Sequence, residues 1–185
     1  MKPFIFAVNA TSGGGKTTTT RELQKRLPNS KALYFDDRNY DSDSGIEDTG
    51  EWIENGADVN LWDLQRLADD IEKLRQENLD FIIMDYPFGY RHKLIGPYLN
   101  YSIFIDTPFD MALARRIIRD YNKETIISIF DDMQDYLEHG RNAYLRGLEL
   151  TESIAKADLI VDGSLPLDEI VKCISKKVID LRLSL

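Results

Sequence analysis

The chain has 185 residues, 43% of them hydrophobic and 30% charged, which points to one soluble globular domain with a core of ordinary size. A net charge of −9 argues against a nucleic-acid partner held through phosphate contacts. A single cysteine, Cys173, excludes an internal disulfide and a cysteine-rich zinc site, and is expected to pack as a small apolar side chain.

The opening stretch, MKPFIFAVNA, has too short an apolar run for a signal peptide, and no stretch approaches the ~20 apolar residues that span a bilayer. A cytoplasmic protein with no membrane partner is expected. Strand and helix signals then alternate, the pattern of a parallel sheet with helices on both faces. FIFAVN is an apolar strand running into a glycine loop, and KTTTTRELQKRL is the helix after it, stopped by Pro28. KALYF is the second strand. Residues 37–60 are polar and glycine-punctuated and read as a long loop or lid segment carrying Trp52. A helix over residues 61–78 places Leu61, Leu64, Leu67, Ala68, Ile71 and Leu74 at helical spacing. DFIIMD and YSIFID are the third and fourth strands. TPFDMALARRIIRDY is a helix opened by Thr107 as N-cap with Pro108 in the first helical position. A further helical stretch spans about 126–150, with Ile129, Phe130, Met133, Leu137, Tyr144, Leu145 and Leu148 expected to pack on the sheet, or else to form a dimer surface. ADLIVDG is the fifth strand and LPLDEIVKCISKKVIDLRL the closing helix.

NATSGGGKTTTT nearly spells the phosphate-binding loop G-x-x-x-x-G-K-[ST], with Ala10 where the first glycine belongs. Such a loop turns consecutive backbone N–H groups around phosphates and aims the positive end of the following helix at them. Gly13, Gly14 and Gly15 supply the backbone freedom, with Ser12 and Thr18 beside them. Lys16 reaches the β/γ-phosphates and Thr17 offers a hydroxyl to Mg²⁺. If the backbone at position 10 has an ordinary φ, a methyl group there costs little and removes no phosphate donor. The substitution is read as tolerated, and the ligand as Mg²⁺ with ATP or GTP.

Asp85 ends the third strand, beside the loop, where a carboxylate can hold Mg²⁺ directly or through water. Asp36 and Asp37 end the second strand; in an open parallel sheet, strand C-termini line the ligand crevice, and a carboxylate there can accept the proton of an attacking hydroxyl. Adjacent side chains on extended backbone point oppositely, so one of the two fills that role. Arg115, Arg116 and Arg119 fall within five residues of one helix, and arginines closing over a moving phosphoryl group stabilise its charge. Residues 36–80 carry fifteen acids against four bases, which suits a neutral or cationic acceptor better than one already bearing phosphates.

With those residues in hand, the chain resembles the uridine kinase and nicotinamide riboside kinase group of P-loop small-molecule kinases, most closely through MKPFIFAVNATSGGGKTTTTRELQKRLPNSKALYFDDRNYD. The resemblance implies an α/β P-loop NTPase three-layer sandwich, with five parallel strands in the order 2-3-1-4-5 and a helical lid at about 109–125. It implies a kinase acting on a small-molecule hydroxyl, with a nucleoside the leading acceptor. It makes Asp36 the catalytic base with Asp37 beside it, and assigns the acceptor's ribose hydroxyls to Asp58. It gives metal or water to Asp85, and makes ARRIIRD the arginine-rich lid. It places Gly163 and Ser164 near the adenine. The chain departs from that group at Ala10, at Arg38 and Asn39, and in YPFGYRH after the third strand, where Tyr86, Tyr90, Arg91 and His92 are candidates for the acceptor pocket. Two other readings fit the same residues: a nucleoside monophosphate kinase, and a nucleotide switch or ATPase with no small acceptor. Either a monomer or a homodimer is compatible with the sequence.

Overall fold

The computed structural model describes residues 2–36, 40, 45–46, 49–121, 126–141 and 156–184. Its centre is a five-stranded sheet, all parallel, in the order β2-β3-β1-β4-β5. The strands are β1 (Phe4–Ala10), β2 (Ser30–Tyr34), β3 (Phe81–Asp85), β4 (Tyr101–Asp106) and β5 (Leu159–Asp162). This is the order implied by the sequence resemblance. The register pairs Val8 with Asp85, Tyr34 with Asp85 and Asp106 with Asp162, so the C-terminal ends of all five strands meet along one rim.

β1 and β3 are buried on both faces, which is why they read as unbroken apolar runs and not as alternating ones. One face of the sheet packs Phe4, Phe6, Val8, Phe81, Ile83, Ile103 and Val161 against Leu23 of α1 (Lys16–Arg26) and Ile170, Val171, Ile174 and Val178 of α6 (Leu167–Leu183). The other packs Ile5, Ala7, Leu33, Ile82 and Met84 against Leu67, Ala68 and Ile71 of α3 (Gln65–Arg75), extended by Phe35, Trp62, Tyr86 and Phe88. Burial of each Val, Leu, Ile, Phe or Met among them stabilises the fold by about 1.5–3 kcal/mol. β1 is therefore held at the centre of both layers, and its C-terminal end is a fixed point from which a loop can be aimed.

Several elements differ from the sequence expectation. α3 starts at Gln65 and not near residue 61, because two aspartates turn the chain first. The Asp58 carboxylate accepts from Asn60 N (2.9 Å) and opens a 3₁₀ turn at Val59–Leu61, and Asp63 accepts from Gln65 N (3.0 Å). Leu61 consequently faces solvent. A short helix, α2 (Thr49–Glu54), lies inside the stretch read as loop. α4 (Phe109–Asp120) has Pro108, not Thr107, at its N-cap, and no side chain caps it. The Thr107 hydroxyl is bonded elsewhere. α5 (Ile126–Asp135) passes into a π-helical turn at Tyr136–Gly140; Phe130 and Leu137 are more than 70% exposed, so these two do not pack on the sheet. Tyr144, Leu145 and Leu148 lie outside the described residues. Cys173 is exposed and not packed as an apolar side chain. No helix among the described residues is long and apolar enough to cross a membrane.

Candidate active site

The glycine loop leaves the end of β1 at the rim where the strand C-termini gather. Gly13 and Gly15 have φ of 79° and 95°, the left-handed region that favours glycine, and Gly15 is the N-cap of α1. Gly14 N donates to Thr11 O (2.8 Å), closing the turn. A Cβ at Gly13 would stand 2.1 Å from the carbonyl oxygen of Ala112 in α4, so the loop presses against the backbone of that helix. Ala10 is still part of β1, pairs with Ile105 and is not among the residues with positive φ. The methyl group in place of the motif's first glycine therefore carries no backbone strain.

Beside the loop lies a cleft of about 880 Å³, lined by the loop residues Ala10, Thr11, Ser12, Gly13 and Gly15, by Lys16, Thr17, Thr18 and Arg21 of α1, and by Asp36, Pro87, Arg115 and Arg119. Lys16 Nζ is shared by two carboxylates: it contacts Asp85 Oδ1 and lies 3.2 Å from Asp36 Oδ2. Asp85 is almost wholly buried, and that burial pushes its carboxyl up from the ordinary carboxylate value. The charge and hydrogen bond of Lys16 and the Thr17 hydroxyl pull it back down. Asp36 sits on the solvent side of the same lysine, its carboxylate largely exposed. Three strand ends thus place a loop, a cation and two carboxylates around one space.

The arginines of α4 contribute unequally. Arg115 and Arg119, one turn apart on α4, both line the cleft. Arg116 does not; its Nε lies 3.7 Å from Asp120 Oδ2. Arg119 also bonds Asp120, and that hydrogen bond, ahead of the charges of both arginines, holds the Asp120 carboxyl below the usual range.

No family model matches the chain. In sequence it is similar to the uridine kinase of Streptococcus agalactiae serotype V, 27% identical over 184 residues that cover 86% of this chain and 87% of that protein. In structure it is similar to a deoxyadenosine kinase from M. mycoides, with a TM-score of 0.57 and 14% identity over 96% of this chain and 100% of that one. It is also similar to a possible uridine kinase from Bacillus stearothermophilus, with a TM-score of 0.51 and 18% identity over 88% and 90%. The chain is uridine kinase-like, with the P-loop kinase fold.

Not every residue singled out in this uridine kinase-like sequence reaches the cleft. Gly14 and Gly163 lie behind it. Gly163 is packed so tightly on Thr107 that a Cβ would stand 1.9 Å from its Oγ1, and its carbonyl lies 3.5 Å from Arg115 Nη1. Asp58 is exposed and does not line the cleft. Its carboxylate serves the 3₁₀ turn, and hydrogen bonds from the backbone and side chain of Asn60 hold it below the ordinary value. Tyr86 is buried in the aromatic cluster with Phe35 and Phe88, and burial raises its phenol well above the ordinary value. His92, read as part of an acceptor loop, is also buried: Nε2 lies 3.0 Å from the Trp62 carbonyl oxygen, and Nδ1 accepts from Leu94 N at 3.3 Å. With both nitrogens bonded inside the fold, His92 ties the segment before α3 to the segment after β3. Asp37 lies outside the described residues.

Four residues were missed. Arg21 follows Thr17 by four on α1, a spacing that could have found it. Pro87 lines the cleft just beyond Asp85. The Asn9 side chain donates to Ser102 Oγ (3.0 Å) and Ile103 O (3.1 Å), clipping the strand before the loop to β4. Thr107 Oγ1 donates to Gly14 O (2.9 Å). The last two contacts join residues more than ninety apart in the chain, and nothing local announces them.

Proposed function

We propose that the chain is an ATP-dependent kinase that transfers the γ-phosphoryl group to a hydroxyl of a nucleoside. The observation that carries the reading is Lys16 held between Asp85 and Asp36 at the glycine loop, in a cleft that Arg115 and Arg119 also line. Thr17 and Asp85 fit a magnesium ion: both are hard oxygen donors, they hydrogen-bond one another, and Mg²⁺ takes one or two protein oxygens and completes its shell from phosphates and water. When bound there, Mg²⁺ would neutralise charge developing on the β- and γ-phosphate oxygens.

In this reading the loop amides and Lys16 bind the triphosphate. Asp36, on the open side of Lys16, orients the acceptor hydroxyl and takes its proton as the new oxygen–phosphorus bond forms and the bond to ADP breaks. Arg115 and Arg119 stabilise the charge on the moving phosphoryl group. The net charge of the 36–80 segment favours an uncharged or cationic acceptor over a nucleoside monophosphate. The deciding experiment incubates the protein with ATP and Mg²⁺ against a panel of nucleosides, nucleoside monophosphates and small polyols, and follows ADP release. Release that depends on a nucleoside, and is lost in Lys16→Ala, supports the proposal. Release that depends on a monophosphate, or proceeds at one slow rate with every acceptor, rejects it.

A further inference from the structure

Thr107 sits in the turn between β4 and α4, is 5% exposed, and donates its hydroxyl proton to the carbonyl oxygen of Gly14, 2.9 Å away and 93 residues earlier in the chain. In a trans peptide the C=O and the following N–H point to opposite sides. Anchoring the Gly14 carbonyl on Thr107 therefore turns the Gly15 N–H away from β4. Gly15 lines the cleft and Gly14 does not. Two close approaches keep the arrangement in place. Gly163 lies against the Thr107 hydroxyl with no room for a Cβ, and Gly13 lies against the Ala112 carbonyl in the first turns of α4 with none either. The loop, the β4–α4 turn and the turn after β5 are thus packed as one block.

We propose that Thr107 is a positioning residue for the phosphate grip. By holding the Gly14 carbonyl it presents the Gly15 amide to the phosphates of the bound nucleoside triphosphate, and it ties that amide to the helix carrying Arg115 and Arg119. The inference rests on the reading of the cleft as a triphosphate site. It names a residue outside the loop, one that does not line the cleft.

The test uses the full chain and needs no acceptor. Calorimetry measures the affinity for Mg²⁺–ATP and for inorganic tripolyphosphate, the second reporting on the phosphate grip alone. Thr107→Val keeps the shape and removes the hydroxyl; it should weaken both ligands by about tenfold and by the same factor, the loss of one net hydrogen bond's worth of affinity. Thr107→Ser keeps the hydroxyl and should restore both. Gly163→Ala keeps the threonine but sets a methyl group 1.9 Å from its Oγ1 and 2.8 Å from its Cα, which displaces the residue from Gly14 O; it should weaken both ligands at least as much as Thr107→Val, so a failure of the valine variant to fold does not end the test. Valine and serine variants that bind alike, or a valine variant with native affinity, would overturn the inference. A native chain that binds neither ligand would overturn the triphosphate site itself, and the inference with it.

Discussion

Two regions near the C-terminal rim of the sheet are built by different means. Around the glycine loop the backbone does the work: positive φ at Gly13 and Gly15, the Gly14–Thr11 turn, and glycines packed directly on neighbouring main chain and on Thr107. Where the segment after β3 packs over the segment before α3, side chains do it. The Trp52 indole N–H donates to Asp58 O (2.9 Å), Lys93 N donates to Asn60 Oδ1 (2.8 Å), His92 holds the Trp62 carbonyl, and Phe88 packs edge-on or tilted against Phe35, Tyr86 and Trp62 at 5.2–5.6 Å. A backbone-built site depends on a few residue types at fixed spacing. A side-chain-built region can be assembled from many combinations, so it announces itself less in a sequence.

Substitutions that separate the two regions test this division. The largest effect is expected at their junction: Asp36→Asn should lower turnover by ~10²–10⁴ while leaving nucleotide affinity intact, read by steady-state rates beside calorimetric ATP binding. Unchanged turnover would remove Asp36 from its role as base. Next is Arg115→Ala, expected to cost ~10²–10³ in kcat with little change in the KM for the acceptor, as for loss of one donor to transition-state charge. An equal rise in the acceptor KM instead would assign Arg115 to ground-state binding.

Smaller effects fall on stability. Gly13→Ala forces a side chain into a left-handed φ and onto the Ala112 carbonyl; the strained torsion alone costs about 1–3 kcal/mol, so the midpoint in urea should drop and ATP should restore little of it. His92→Leu leaves the Trp62 carbonyl without its partner, at about 1–3 kcal/mol, and should lower the urea midpoint with the KM for ATP unmoved. A rise in the KM for ATP would show that the two regions are not separable.

The smallest effect is a pH dependence. The Asp85 carboxyl is raised in the fold, chiefly by burial, so the folded state binds more protons there than the unfolded chain. Its contribution to stability must then fall as pH rises from the ordinary carboxylate value of 3.8 through the raised one, by ~1.4 kcal/mol per unit of difference. Urea midpoints measured across that window should show a decline that Asp85→Asn flattens.

The same division explains what could be read from the sequence. Lys16, Thr17, Asp36 and the β3-ending Asp85 were found because a strand, a glycine loop and a helix fix them by local spacing, and the structure brings all four together. The start of α3 was misjudged because Asp58 and Asp63 make local turns that outweigh the apolar periodicity of Leu61 and Leu64. Thr107 was given a cap because its position beside Pro108 looks like one; its actual partner is a carbonyl reached only once β1 and β4 lie side by side. His92 and Tyr86 were placed in a loop pocket because nothing in YPFGYRH shows that the chain folds back over the aromatic cluster.

The methyl group of Ala10 has a consequence for how such loops evolve. It lies 2.9 Å from where a Cβ on Gly14 would be, and Thr11 O stands 2.8 Å from that same point. The space is sufficient for a methyl at position 10 only while position 14 has none. A side chain at position 14 is therefore opposed twice, by the Thr11 carbonyl and by this methyl, whereas a return of position 10 to glycine meets no obstacle: the step is reversible, and the constraint it adds falls on Gly14 alone.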